Sequence, residues 1–302
     1  MRLVVALGGN ALLQRGEPTG PATQRGNVAR AVEAIADLAR QHQVVVTHGN
    51  GPQVGLLALQ SAAYAPSSPY PLDILGAESE GMIGYLLEQS LDSLLPDRQI
   101  ATLLTQVEID PRDSAFAGPT KPIGPVYDEK TARGLASARG WLMVPDGHGW
   151  RRAVASPEPL RILELSTIRL LMEAGVLVIC AGGGGVPVTV DEEQIVRGAE
   201  AVIDKDLSAA LLAIGLEAEA LLLLTDVDGV MSGWESDDPQ LISRAEPASL
   251  RALDLAAGSM GPKVEAACRF AEQTGHRAYI GPLHQASAVL AGTAGTLVLA
   301  PD

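Results

Sequence analysis

The sequence predicts an α/β sandwich, a mostly parallel sheet covered by helices on both faces, and three observations carry that prediction. Short Val- or Leu-rich runs recur along the chain, most of them closed by Gly, Asn or Asp. Helix-length amphipathic stretches lie between most of them. The chain has 302 residues, 47% of them hydrophobic, enough to bury the large core that such a sheet needs. The expected strands cover residues 3–7, 44–47, 102–107, 176–179, 221–225, 277–280 and 296–299. The expected helices cover 23–42, 52–63, 79–94, 159–174, 206–214 and 262–274. In the first helix Val28, Ala31, Val32, Ile35, Leu38 and Ala39 recur at the spacing of one helical face. Strands that are apolar throughout, rather than alternating, are those covered on both sides.

The alternation breaks over residues 109–155. This stretch is rich in Pro and Gly, with Pro111, Pro119, Pro122, Pro125 and Pro145, and holds Trp141 and Trp150. A segment so long without helical periodicity reads as a small inserted subdomain, with Val126, Tyr127, Trp141, Leu142, Met143 and Val144 forming short hairpin strands.

The formal charge of −14 repels DNA and anionic membranes, and no dense Lys/Arg run offsets it, so nucleic acid and membrane are not expected partners. Cys180 and Cys268 lie far apart, form no metal spacing, and read as buried reduced thiols. The apolar run before Gly8 is too short for a signal-peptide core, and no 18-residue apolar span occurs; a soluble, cytoplasmic protein is expected.

Three strands end in glycine-rich turns: Leu7-Gly8-Gly9-Asn10, His48-Gly49-Asn50-Gly51-Pro52 and Ala181-Gly182-Gly183-Gly184-Gly185. Such turns let backbone approach a ligand and aim successive N–H groups into one concavity, and in an open α/β sheet they share the carboxyl edge where ligands bind. Together they point to a site for several phosphates. No lysine follows any of them, which excludes a Walker-type loop. Gly49, Gly51 and Gly55 form only a relaxed dinucleotide fingerprint, and Pro66, Pro69 and Pro71 leave no strand before the acidic residues Asp73 and Glu78 that it would need.

Lysine is scarce. Of 22 basic residues only Lys121, Lys130, Lys205 and Lys263 are lysine, so a lysine here tends to mark a place that wants a compact ammonium. Gly258-Ser259-Met260-Gly261-Pro262-Lys263 reads as a turn into a helix, with Pro262 at the first helical position and Lys263 in the first turn. A cation there opposes the helix dipole unless an anion shares that end. Lys205 repeats the arrangement, with Asp204 as the cap. Asp206 either holds the ammonium, helps ligate a metal, or is an ordinary helix-start carboxylate. Thr225-Asp226-Val227-Asp228-Gly229 lacks the later ligands of a calcium loop and reads as a strand-end turn beside a ligand. His48 reads as a structural histidine bonded to its glycine turn rather than a catalytic one. No metal-ligand cluster stands out.

At these residues the chain resembles the amino acid kinase superfamily and, within it, the carbamate kinases. The resemblance runs nearly end to end: Val5-Ala6-Leu7-Gly8-Gly9-Asn10-Ala11-Leu12, Thr47 to Gly55, Gly81-Met82-Ile83-Gly84-Tyr85, Trp150-Arg151-Arg152, Ala199 to Leu207 and Gly258 to Ala267. Pro119-Thr120-Lys121-Pro122-Ile123-Gly124-Pro125 is the segment most particular to the carbamate kinases. The resemblance implies a three-layer α/β/α sandwich with a central, mostly parallel sheet, spanning residues 1–302, with residues 109–155 as a small protruding subdomain, and a homodimer. It implies reversible phosphoryl transfer between MgATP and carbamate, giving ADP and carbamoyl phosphate, usually run toward ATP in the catabolism of arginine and related compounds. It places Gly8, Gly9, Asn10, Gly49, Asn50 and Gly51 around the transferred group. Lys121, Lys205, Lys263 and Asp206 become the catalytic residues, and Thr225, Asp226, Val227, Met260, Gly261 and Lys263 the nucleotide contacts. The chain departs from the family at residues 144–149 and at Met231, where the family often has Tyr. Two rivals stand beside this reading. One is a kinase of the same superfamily for a larger acid, with Arg151 and Arg152 holding its remote groups; the other is a non-catalytic nucleotide binder.

Overall fold

The computed structural model describes residues 1–9, 17, 20–234, 238–253, 255 and 260–300. In chain order its strands are β1 (Arg2–Leu7), β2 (Gln43–His48), β3 (Ile100–Thr102), β4 (Gln106–Glu108), β5 (Lys121–Tyr127), β6 (Leu142–Asp146), β7 (Gly149–Val154), β8 (Arg161–Ile162), β9 (Leu177–Ile179), β10 (Val186–Val190), β11 (Val196–Gly198), β12 (Ala220–Thr225), β13 (Met231–Ser232), β14 (Gln240–Leu241), β15 (Arg244–Ala245), β16 (Arg277–Pro282) and β17 (Thr296–Val298). The α-helices are α1 (Pro21–Ala39), α2 (Gly51–Tyr64), α3 (Leu72–Leu94), α4 (Glu129–Arg139), α5 (Leu165–Glu173), α6 (Lys205–Gly215), α7 (Pro247–Arg251), α8 (Met260–Thr274) and α9 (Ala286–Leu290).

Among the described residues the main sheet has the order β15-β17-β16-β12-β1-β2-β9-β3. The six strands from β16 to β3 are mutually parallel, and β17 turns antiparallel to β16. β1 sits in the middle, and Leu3, Val4, Val5, Ala6 and Leu7 are all fully buried because side chains on both faces of the sheet are covered. Val4, Ala6, Val45, Val178, Leu221 and Leu223 pack with α5, α6 and α8 through Ile168, Met172, Leu212, Val264 and Phe270. Their neighbours Leu3, Val5, Leu7, Val44, Val46, Leu222 and Leu224 pack with α1 and α3 through Val28, Val32, Ile35, Ile83 and Leu87. This two-residue alternation between two cores is the three-layer sandwich, with a mostly parallel central sheet.

Three expected elements differ from the sequence reading. The run 102–107 is divided: β3 ends at Thr102 on the edge of the main sheet, and β4 pairs instead with β10 and β8 in a second sheet. The stretch 159–174 is helical only from Leu165, since Arg161 and Ile162 pair with β4. Helix α3 starts at Leu72 rather than near Ser79, because Leu72 and Leu75 are buried and the Leu72 N–H is capped by the Glu200 carboxylate at 2.7 Å.

Residues 121–154 build a separate antiparallel sheet, β5-β7-β6, with α4 crossing between β5 and β6. Helix α4 was absent from the sequence reading. Only Ala132 on it is buried, so it shows little apolar stripe, although Asp128 caps its start and Gly140 closes its end at φ +66°. The guanidinium groups of Arg152 and Arg139 lie over the Trp141 ring, 4.6 and 5.2 Å from its centre. The small sheet rests on α2 where Gly55 meets Gly124 backbone to backbone: a Cβ on Gly55 would lie 1.8 Å from the Gly124 Cα. Two missing side chains therefore fix how close Lys121 comes to the main sheet. Gly55→Ala must push β5 away, and is expected to cost about 1–3 kcal/mol of unfolding free energy, read by urea denaturation. An unchanged midpoint would show that the contact is not close-packed.

Candidate functional site

The carboxyl ends of β1, β2 and β12, and the turn after β9, open into one cleft of about 500 Å³. Its floor is backbone: Gly8 and Gly9 after β1, Gly49, Asn50 and Gly51 at the start of α2, and Gly183. The first two turns touch, so that a Cβ on Gly49 would come 2.9 Å from the Gly9 Cα and amide nitrogen. From above, Lys121, Gly124 and Arg151 of the small sheet and Asp146 at the end of β6 face the cleft; from the side come Asp204, Lys205 and Asp206 of α6, Lys263 of α8, and Thr225 and Asp226.

Three of the four lysines thus converge, and Lys130, on α4, lies exposed elsewhere. What the sequence leaves open is how they are held. Both oxygens of Asp206 are taken: Oδ1 accepts from the Lys205 ammonium at 2.5 Å and Oδ2 from the Lys263 ammonium at 3.1 Å. Asp204 caps α6, accepting the Asp206 N–H at 2.9 Å on Oδ1, while its Oδ2 accepts from the Lys121 ammonium. Burial alone would raise the Asp206 carboxyl, but the two lysines beside it hold it well below the usual carboxylate range. Burial lowers Lys205, with Asp206 opposing and Lys263 adding to the fall. Burial pulls Lys263 the same way, yet Asp206 wins and its ammonium titrates higher than an ordinary lysine. Of the three roles open to Asp206 in the sequence, the geometry shows the first: it holds ammoniums. Arg151 is anchored by its Nε–H to the Gly124 carbonyl at 2.8 Å and by Nη1 to Asp146 at 3.2 Å. Arg152 pairs with Glu200 and Trp141 and does not line the cleft.

The other expected site residues divide. Thr225 and Asp226 line the cleft, whereas Val227 and Met260 do not. Gly261 lines a second hollow of about 330 Å³ on the far side of the Lys121–Asp204 pair, with Thr120, Ser156 and Glu265. Asn10, Gly258 and Ser259 lie outside the described residues. His48 is fully buried behind the floor; its Nδ1–H donates to the Gly49 carbonyl at 3.2 Å, which leaves Nε2 as the bare lone pair of a neutral ring. A Cβ on Gly182 would meet that ring at 2.4 Å, so the glycine turn lies flat against the imidazole. Sequence reasoning missed Glu80, buried beneath the same turn. The signal was there, because Glu80 shares a helical face with Ile83, Leu87 and Leu91, all buried.

Burial drives the His48 pKa from 6.5 down to about 4. The ring stays neutral in the folded chain while the unfolded chain gains a proton below about 6.5, so stability from this group is present above that pH and is lost as pH falls toward 4. The stability difference between wild type and His48→Asn should shrink by about 3 kcal/mol over that window in urea titrations, because the variant lacks the proton-linked loss. A difference constant from pH 7 to 4 would contradict a neutral buried ring.

The model of the Amino acid kinase family matches residues 1–282. A carbamate kinase of Rhizobium meliloti (strain 1021) is 54% identical over 301 residues, covering 99% of this chain and 93% of its own. The structure of carbamate kinase from Giardia lamblia bound to citric acid superposes with a TM-score of 0.93 at 40% identity, covering 99% of this chain and 98% of the other. The same enzyme bound to AMP-PNP superposes with a TM-score of 0.89, also at 40% identity and with the same coverage.

Proposed function

Since the chain belongs to the amino acid kinase family, we propose that it catalyses reversible phosphoryl transfer between ATP and carbamate, giving ADP and carbamoyl phosphate. The observation that carries this reading is the convergence of Lys121, Lys205 and Lys263 on a glycine-floored cleft, in a chain 54% identical to a carbamate kinase. Phosphoryl transfer needs little covalent help; positioning and charge stabilisation do most of the work. In this reading Gly8, Gly9, Asn10, Gly49, Asn50 and Gly51 surround the transferred group with backbone and amide donors. Lys205 and Lys263 neutralise charge on that group and on the nucleotide phosphates, and Asp206 keeps both ammoniums aimed. Lys121 reaches from the small inserted subdomain toward carbamate, for which it must exchange Asp204 for the incoming anion. Carbamate brings its nucleophilic oxygen already ionised, so the site needs no general base. Thr225 and Asp226, on the cleft wall, belong to the nucleotide side with Lys263; Gly261 adjoins it from the second hollow, and Val227 and Met260 are given to it by the family resemblance alone.

Magnesium fits this site as a passenger on the nucleotide. Asp206 has both oxygens committed to lysines, and magnesium is commonly held by phosphate oxygens and water with one or two carboxylates. Asp226, on the cleft wall, is a carboxylate that would help hold it. When bound, the ion offsets phosphate charge.

The homodimer, the cytoplasmic setting and net use toward ATP in arginine-type catabolism belong to the same proposal and rest on the family resemblance. A larger-acid kinase is less well supported, because Arg152 is committed to Glu200 and Trp141 and only Arg151 faces the cleft.

The test is ATP formation from MgADP and carbamoyl phosphate, read by luciferase. The chain should make ATP, Lys263→Ala should abolish it, and Lys121→Ala should lower kcat by about 10²–10³-fold while leaving ADP affinity nearly unchanged. Near-normal turnover in Lys121→Ala would remove the role given to that lysine. No ATP from folded protein that binds ADP would remove carbamoyl phosphate as substrate.

A further inference from the structure

Helix α3 places two consecutive polar residues, Ser79 and Glu80, under the floor of the cleft, and both are buried. Neither lines the cleft, yet each holds one of the turns that does. The Ser79 hydroxyl accepts the Asn50 side-chain N–H at 2.8 Å and donates to the Gly76 carbonyl at 2.8 Å. Glu80 accepts the Gly182 N–H on Oε1 at 2.8 Å and the Thr105 N–H on Oε2 at 3.3 Å. Thr105 extends the grip, its hydroxyl oxygen accepting the Ala181 N–H at 2.9 Å and its carbonyl accepting the Val186 N–H at 2.7 Å. The turn so held needs the help: Ala181 sits at φ +49° and Gly183, Gly184 and Gly185 at +67°, +100° and +88°. It ends with Gly183 flat on Asn50, where a Cβ would lie 2.1 Å from the Asn50 side-chain nitrogen.

We propose that Glu80, with Ser79, is a positioning residue for phosphoryl transfer: one turn of α3 clamps the loops after β2 and β9 so that Asn50 and Gly183 meet at a fixed spacing in the cleft floor. The proposal rests on the kinase reading above and adds a residue that touches no substrate. The clamp acts through hydrogen bonds accepted by the carboxyl group, and its neutral form keeps the shorter one, from Gly182, on the carbonyl oxygen. Burial raises Glu80 from 4.5 to about 8, against the hydrogen bonds from Gly182 and Thr105. The titratable groups around it are His48 on β2, Cys180 after β9 and Glu164 before α5. None supplies a compensating cation: His48 is neutral, burial raises the Cys180 thiol, and Glu164 adds repulsion.

The full chain, Glu80→Gln and Glu80→Ala are compared by three measurements. In the ATP-forming assay at pH 7, Glu80→Gln, whose one amide oxygen keeps the Gly182 N–H while its NH2 group faces the Thr105 N–H, loses about 3–10-fold in kcat, and Glu80→Ala loses about 10–100-fold with its KM for MgADP little changed. By amide exchange, the segment 181–186 opens about tenfold faster in Glu80→Ala, with β1 unaffected. In thermal unfolding, the folded wild type keeps a proton that the unfolded chain releases above about 4.5, so its stability falls relative to Glu80→Gln as pH rises from 4.5 to 8 and levels off above. Normal kcat in Glu80→Ala or unchanged exchange at 181–186 would each overturn the proposal. A wild type that makes no ATP defeats the kinase reading instead, and the exchange measurement then decides the clamp without it.

Discussion

The carboxylate of Asp206, buried between the ammonium groups of Lys205 and Lys263, is the interaction on which the site depends. Two ammoniums brought this close in a buried place repel each other and have lost water, so neither would stay charged without a counter-ion at the same depth. One carboxylate serves both, one oxygen each. Such a cluster is a poor source of net stability, because desolvation offsets most of the attraction, but removing the carboxylate leaves two buried ammoniums unpaired at a cost of about 3–5 kcal/mol. Its value is therefore positional. Asp204, two residues earlier, does the same for Lys121 while capping α6, so the first turn of one helix sets the resting place of lysines that come from three separate parts of the chain.

The fold supplies what that cluster faces. Parallel strands release their chains at one edge, and there the turns after β1, β2 and β9 come within van der Waals distance because a glycine lies at each contact, Gly49 on Gly9 and Gly183 on the Asn50 side chain. Beneath them the polar groups are paired by helix α3 and by the neutral His48 ring. Ammoniums and backbone donors thus surround one space from opposite sides. The carboxylates Asp204 and Asp206 hold the lysines. In the proposed function an anion with several oxygens, such as a phosphoryl group, would share these ammoniums, and this one place would let a chain of net charge −14 hold a polyanion.

Much of this was legible in the sequence. The fully apolar strands of the main sheet stand out as Val- and Leu-rich runs, and three lysines stand out against a background of arginine. Their counter-ions do not, because the Lys121–Asp204 and Lys263–Asp206 pairs join residues 83 and 57 positions apart. Locally Asp204 is only a cap, and Asp206 offers its neighbour Lys205 a counter-ion as one of three roles, with nothing to tie it to Lys263. Helix α4 escaped notice since a solvated helix lacks an apolar stripe, though Asp128 and Gly140 marked its ends. The division of 102–107 between two sheets turns on Thr105, whose bonds to Glu80 and to the 181–186 turn are tertiary. Val227 and Met260 were carried over by family motif, and motif position alone does not tell which residues face the cleft.

The most direct measurement of the central claim is a double-mutant cycle between Asp206 and Lys263, using Asp206→Asn, Lys263→Met and the double variant, with unfolding free energies from urea titration. A shared, buried counter-ion predicts that the double variant is more stable than the two single losses would give by addition, with a coupling of about 2 kcal/mol or more. Additive losses would mean that the two groups are neighbours without being partners, and would contradict the account.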